Sequence, residues 1–424
     1  MSDNPLPTMH APTAAVPAPA PDPEASHIIR LTVAAALGVI GLSVTGIVRG
    51  ADMLSGFDTL WRPSLAILSI MLSTAAALRL GILDVVAARL APSAGQSPAH
   101  VFRSVFMFSA ATSAILNNDA AVLLLTPLII SLVRRCYPDR SDLVVPFVFA
   151  VFSAAGVAPL ATSNPMNLII ADYTGIGFNE YAVRMAPIAL AGWVVAYGIL
   201  RWLFRGPLER TVRDEAATTS AATPLTVPAR WFLVVLVLSL ACYPALSFAG
   251  GPVWAVAAGI AAFGVGLCWA SNVASPRRLS SMVSWQIMVF LYCVFVIVLG
   301  LRNIGLVDEL SSLYSVQSNS VGQIGLIAVI SALGSAVVNN HPMALLNALA
   351  IQNLPRETHR QVAAALIGGD LGPRLLPIGS LAGLLWFDSL RRLGVHVTLG
   401  QFVRVGAAVT VPTLAISLAM LLLG

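Results

Sequence analysis

Two short runs set amides and ionisable groups inside apolar sequence. Ser113 to Leu125 reads SAILNNDAAVLLL, and Ser335 to Asn347 reads SAVVNNHPMALLN. Asn117, Asn118, Asn339 and Asn340 bring donors and acceptors without charge, which suits a hydroxylated ligand or an ion's hydration shell. One asparagine alone would be read as a helix cap. Two pairs in equivalent places favour lining a site. Asp119 is ionisable within an apolar stretch, and such a group is a functional hypothesis by default. It either takes up and releases a proton or caps a helical arm starting at Ala120. His341 holds the equivalent place in the second run, before Pro342, which suits a first helical position. It is either a second proton site or a cap.

Two further runs carry polar groups beside helix breakers. PLATSNPMNLII (159–170) holds Thr162, Ser163, Asn164 and Asn167 between and after Pro159 and Pro165. Proline removes a backbone donor, so a break is expected over 162–167. GGDLGPRLLPIGSLAGLL (368–385) holds Asp370, Arg374 and Ser380 among two prolines and several glycines, with a break expected over 377–380. Arg374 cannot neutralise itself, so it must pair, snorkel or face water. Asp370 lies four residues earlier, a helical neighbour if the turn survives. Asp370 and Arg374 form either a structural pair or part of a coupling device. Broken helices present free backbone groups near the bilayer midplane, where transporters build substrate and ion sites.

The elements that must position these groups are membrane spans. The 424 residues are 57% hydrophobic and only 10% charged, against about 25% charged in soluble chains. An all-α polytopic membrane protein is expected. Apolar runs near 28–48, 62–80, 143–173, 184–204, 231–249, 252–270, 283–301, 361–390 and 402–423 give about 9–10 spans at roughly 20 residues each. The two asparagine runs interrupt stretches whose arms, 101–116 and 120–133 in the first, are too short to span alone. They are expected to form re-entrant hairpins over about 101–134 and 322–355, lining a cavity. The runs 143–173 and 361–390 are the expected broken helices.

All 24 basic residues are arginine. With a cytoplasmic N-terminus and both hairpins returning to their own side, seventeen arginines fall on the cytoplasmic side and six outside. Arg374 alone stays within the bilayer. That bias satisfies the positive-inside rule and places the C-terminus outside. Residues 1–27, rich in proline and alanine, are expected to be a disordered tail. A polar cytoplasmic linker over 206–229 divides residues 28–205 from 230–424. An odd number of spans between the hairpins makes the halves inverted repeats.

Several functions are excluded. Without lysine there is no Walker A loop, so the chain is not itself a P-loop ATPase. The arginines sit at helix ends rather than in patches, so no nucleic-acid partner is expected. Cys136, Cys242, Cys268 and Cys293 lack ligand or disulfide spacing, so no metal or cofactor is expected. IGGD at 367–370 lacks the first glycine of the G-x-G-D found in intramembrane aspartyl proteases.

NNDAAVLLLTPLI (117–129), TSNPMNLIIADYTGIGFNEYA (162–182), NNHPMALL (339–346) and GGDLGPRLLPIGSLAGLLWF (368–387) are the most distinctive blocks. Together they resemble the arsenical pump membrane protein family, the ArsB arsenite permeases of the ion transporter superfamily. His341 departs from the pattern, which would place methionine or another uncharged residue before the proline. The resemblance implies export of arsenite and antimonite across the cytoplasmic (inner) membrane in exchange for protons. Some family members also work with a soluble ArsA-type ATPase. Arsenous acid is a neutral triol, which amides and hydroxyls can hydrogen-bond without charge. The implied substrate set is Asn117, Asn118, Thr162, Ser163, Asn164, Asn167, Asn339, Asn340 and Ser380; the implied proton set is Asp119, Asp370, Arg374 and His341. The alternative is another carrier of the same superfamily: a sodium–proton antiporter, a small-anion carrier or another metalloid exporter.

Overall fold

The computed structural model describes residues 23–83, 85, 97–210, 224–317, 319–355 and 358–423. Through residue 22 the expected tail lies outside them, and helix α1 (Pro23–Val44) already includes its last five residues. Of the expected linker, 211–223 lie outside the described residues; its start lies in a separate short helix, Arg205–Glu209, and Val227 begins the next long helix.

No strand occurs among the described residues. After α1 come α2 (Gly50–Arg79), α3 (Pro98–Ile115), α4 (Asn118–Cys136), α5 (Val144–Ala154), α6 (Pro165–Tyr173) and α7 (Phe178–Leu203). The chain continues through α8 (Val227–Phe248), α9 (Val253–Ala270), α10 (Trp285–Asn303) and α11 (Leu306–Ser315). It ends with α12 (Ser320–Val338), α13 (Asn340–Gln352), α14 (His359–Leu371), α15 (Leu381–Arg392) and α16 (Leu399–Leu423). Six of these helices are long and apolar enough to cross a membrane. They leave Val183, Val194 and Val411 more than 60% exposed, a surface suited to lipid rather than water. The protein is an all-α polytopic membrane protein.

One order of elements occurs twice: two arms meeting at asparagines, a broken helix, then a long helix. It runs α3 to α7 and again α12 to α16. The arms are longer than expected. α3 has 18 residues, and α4 and α12 have 19 each, enough for nearly 30 Å. The apolar runs underestimate them because each helix continues through polar residues at its ends, Arg134 and Arg135 in α4. In both halves the two arms pack against each other.

The breaks are also wider than the prolines indicate. The first is 155–164, with a single 3-10 turn at Ala161–Ser163. Pro165 does not interrupt a helix; it starts α6, where its missing N–H costs nothing. The second is 372–380, two 3-10 turns after α14. Glycine sets the packing of the second break. A Cβ on Gly368 would clash with the Ala328 carbonyl oxygen, and one on Gly372 with that of Ala332. α14 and the turn after it therefore press directly on the backbone of α12, as small residues permit in membranes.

An aromatic cluster joins the halves. Trp386 on α15 is fully buried and meets Phe149 and Phe152 of α5 and Phe402 of α16, with ring centroids 4.9–5.8 Å apart.

Candidate functional site

Each tip is held by its first asparagine. Asn117 caps α4, its side-chain oxygen accepting from the Ala120 N–H at 2.7 Å. Asp119 is therefore inside the first turn and is not the cap. Its carboxylate is free to face a cavity between the tips. Asn339 caps α13 by accepting from the His341 N–H at 3.2 Å. Pro342 consequently stands at the third helical position rather than the first, still within the turn where N–H groups lack helical partners. Asn339 has φ +92° and ψ 146°, a conformation that L-residues avoid.

A cavity of about 170 Å³ lies where these elements converge. Asn117 and Asp119 reach it from the first tip, His341 from the second, and Thr162 and Pro165 from the first break. Leu381 and Leu385 of α15 close one wall. Ile67, Ile70 and Thr74 of α2, with Ser284, Ile287 and Phe290 at the start of α10, close the other. It is an apolar pocket with a few convergent polar groups, the usual form of a small-molecule site. No metal-holding group of three or more His, Cys, Asp or Glu side chains occurs among the described residues.

The remaining sequence candidates stand behind this wall. Asn118 donates to the Gly156 carbonyl at 3.1 Å and accepts from the Ser113 hydroxyl, which ties the tip to the first break. Ser163 donates to the Ala114 carbonyl at 2.8 Å. Asn164 caps α6, accepting from the Met166 N–H at 3.0 Å. Ser380 caps α15, accepting from the Gly383 N–H at 3.0 Å. Asn340 is buried with its side-chain oxygen unpartnered.

Asp370 and Arg374 do not pair with each other; both reach into the first half. One Asp370 oxygen accepts from Asn164 Nδ2 at 2.7 Å, and the other accepts from Asn167 Nδ2 at 2.8 Å and the Ala158 N–H at 2.9 Å. Arg374 donates from Nη2 to the Ser153 carbonyl in the last turn of α5, where a cation is favoured by the helix dipole. Its Nε and Nη1 are buried without a partner. The expected pair assumed a continuous helix through 374. The helix ends at Leu371, and the tighter 3-10 turn re-aims Arg374. The two charges of the second half thus grip the first break from both ends. Arg374 takes a carbonyl before it, and Asp370 takes donors within and after it.

Sequence reasoning missed Tyr181, Thr74 and Ser284. The Tyr181 hydroxyl accepts from Asn167 at 2.7 Å and donates to the Ala158 carbonyl at 3.1 Å, extending the Asp370 network. Its signal was a place inside the block 162–182. Thr74 and Ser284 line the cavity, but single hydroxyls on spanning helices carry no distinguishing pattern.

Comparison with known proteins bears on this arrangement. A family model described as arsenical pump membrane protein matches residues 26–423. The arsenical pump membrane protein of Escherichia coli K12 is 30% identical over 402 residues, covering 92% of each chain. That of Yersinia enterocolitica is 28% identical over 393 residues, covering 90% of each. Among solved structures, the YdaH transporter of Alcanivorax borkumensis superposes with a TM-score of 0.60 over 94% of this chain and 97% of that one, at 14% identity. MtrF of Neisseria gonorrhoeae gives 0.56 over 94% of each, also at 14% identity. These two share the fold. The full-length family match and the relatives at about 30% identity establish that the chain belongs to the arsenical pump membrane protein family, ArsB.

Proposed function

We propose that the protein exports arsenite and antimonite, as neutral trihydroxides, across the cytoplasmic membrane in exchange for protons. The observation that carries the reading is the cavity. It brings Asn117 and Thr162 together with two ionisable groups, Asp119 and His341, from equivalent places in the two halves. Amide and hydroxyl groups hydrogen-bond a triol at no electrostatic cost. No cysteine lines the cavity among the described residues, so recognition there is by hydrogen bonds rather than thiolate capture.

A neutral cargo gains nothing from the membrane potential. A proton moving inward does, by about 2.3 kcal/mol per 100 mV. Asp119 is the proton carrier in this reading. It faces the cavity, it is not needed as a cap, and it has no hydrogen-bond partner among the described residues. His341, which lines the same cavity from the second tip, is the second proton candidate in this reading. Asn339 and Asn340 shape the second tip, while Asn118, Ser163, Asn164, Asn167, Ser380, Asp370 and Arg374 position the wall rather than touch the cargo.

Purified protein in proteoliposomes tests this. Arsenite or antimonite should accumulate against its gradient when a pH gradient is imposed, and only equilibrate without one. Asp119→Asn should abolish accumulation while substrate binding survives. Accumulation at the wild-type rate by Asp119→Asn would remove the proton role from this residue.

A further inference from the structure

A second cavity, of about 550 Å³, lies directly beyond the first. The two are stacked along α2. Trp61 to Ala66 line the second, and Ile67 to Leu78 line the first. At 1.5 Å per residue those positions cover about 25 Å, most of a hydrocarbon core about 30 Å thick. The first break divides in the same way. Ala161 faces the second cavity and Thr162 the first. At both places sequence neighbours line the two cavities, and on the break side they lie in the 3-10 turn between α5 and α6.

The second cavity is also polar at its mouth. Arg62 and Asp172 are exposed there beside Ser247. The Arg62 guanidinium lies 5.2 Å from the Trp61 ring centroid, and Trp61 meets Trp254 at 6.2 Å. Tryptophan and arginine at one level mark a membrane–water interface. Four glycines of the loops 174–177 and 249–252 line the same space, leaving peptide groups open to hydroxylated solutes.

We propose that this second cavity is the outer half of the cargo's path, and that Ala66–Ile67 with Ala161–Thr162 form the partition that parts for release. This rests on the transporter reading above. The cargo class is the same small neutral hydroxide, moving with water. The break suits the role because much of its backbone is held by side chains, Asp370, Tyr181 and Asn118, rather than by an α-helical ladder.

Two measurements on full-length protein decide it, in a background with the four native cysteines replaced and transport retained. In the first, Ser247→Cys is modified with a bulky, membrane-impermeant methanethiosulfonate. Arsenite efflux should be lost on modification and return after reduction and removal of the reductant. The same adduct on exposed Gln317→Cys should change nothing. In the second, Thr162→Cys is labelled from the outer side, with and without Ala171→Trp, which fills the second cavity. Labelling should be slowed severalfold by the tryptophan. Unchanged efflux in the modified Ser247→Cys protein, or unchanged labelling of Thr162→Cys, would overturn the proposed path. If unmodified protein fails to move arsenite, the cargo reading fails, and the labelling measurement still decides the path.

Discussion

The two asparagine tips begin alike and end differently. Asn117 and Asn339 both cap the arm that follows. The next asparagines part company. Asn118 is bonded at both ends of its amide and fastens its tip to the first break, whereas Asn340 leaves its oxygen unpartnered. Asn339 reaches the second break only through a 3.5 Å bond to the Ile378 carbonyl. The two breaks show the same asymmetry. Both end on a side-chain cap, Asn164 or Ser380. The first break is gripped from the other half by Asp370 and Arg374, and the second is packed on glycine and backbone. The tip and break of the first half are thus fixed by side-chain bonds, while those of the second rest on close packing. The second half keeps its buried polar network, Tyr314, Asn347 and Ser331, away from its break.

The largest expected effect comes from releasing the grip on the first break. Asp370→Ala strands three buried donors, the Ala158 N–H and the amides of Asn164 and Asn167. At about 1–3 kcal/mol for each unmet buried group, this should read as a large drop in the melting temperature of detergent-solubilised protein. The exchange Asp370→Asn with Asn167→Asp keeps a carboxylate facing an amide and should recover most of the loss. An Asp370→Ala protein as stable as wild type would mean that the halves are held by packing alone.

A smaller effect separates the tips directly. Asn118→Ala leaves the Gly156 carbonyl and the Ser113 hydroxyl buried without their partner, at about 1–3 kcal/mol. Asn340→Ala removes a buried oxygen that already lacks a partner, so no bond of that oxygen is lost and the cost should be clearly smaller than at Asn118. Equal losses at the two positions would erase the distinction between a bonded and a packed tip.

Much of this was legible in the sequence, for a simple reason. In an apolar chain every polar residue is conspicuous, so Asn117, Asp119, Thr162 and His341 could be marked as candidates, and the structure places all four on one cavity. Three-dimensional reach was not legible. The four-residue helical rule pairs Asp370 with Arg374, and it fails where the helix tightens into a 3-10 turn after Leu371. Its true partners are more than 200 residues away. Proline as a helix breaker puts the first break around Pro165. Proline also starts them, and here α5 ends at Ala154, just before Gly156, which carries no helical penalty as strong as proline's.

The smallest effect is the most discriminating, because it should have opposite signs in the two halves. Asn117 caps from extended backbone, φ −178°, which any residue adopts. Replacing it with glycine removes the cap oxygen and relieves no strain. The loss should be a few tenths of a kcal/mol, the usual cost of a glycine cap. Asn339 makes the same kind of cap from φ +92° and ψ 146°, a region that is costly for any residue with a Cβ, on the order of 1–3 kcal/mol. Glycine there loses a similar cap but removes the strain, so Asn339→Gly should raise the melting temperature while Asn117→Gly lowers it. The cap lost in Asn339→Gly is also the weaker one, 3.2 Å against 2.7 Å. Destabilisation by both substitutions would mean that the second asparagine is held in its strained backbone by contacts worth more than the strain, and the second tip would then be as firmly built as the first.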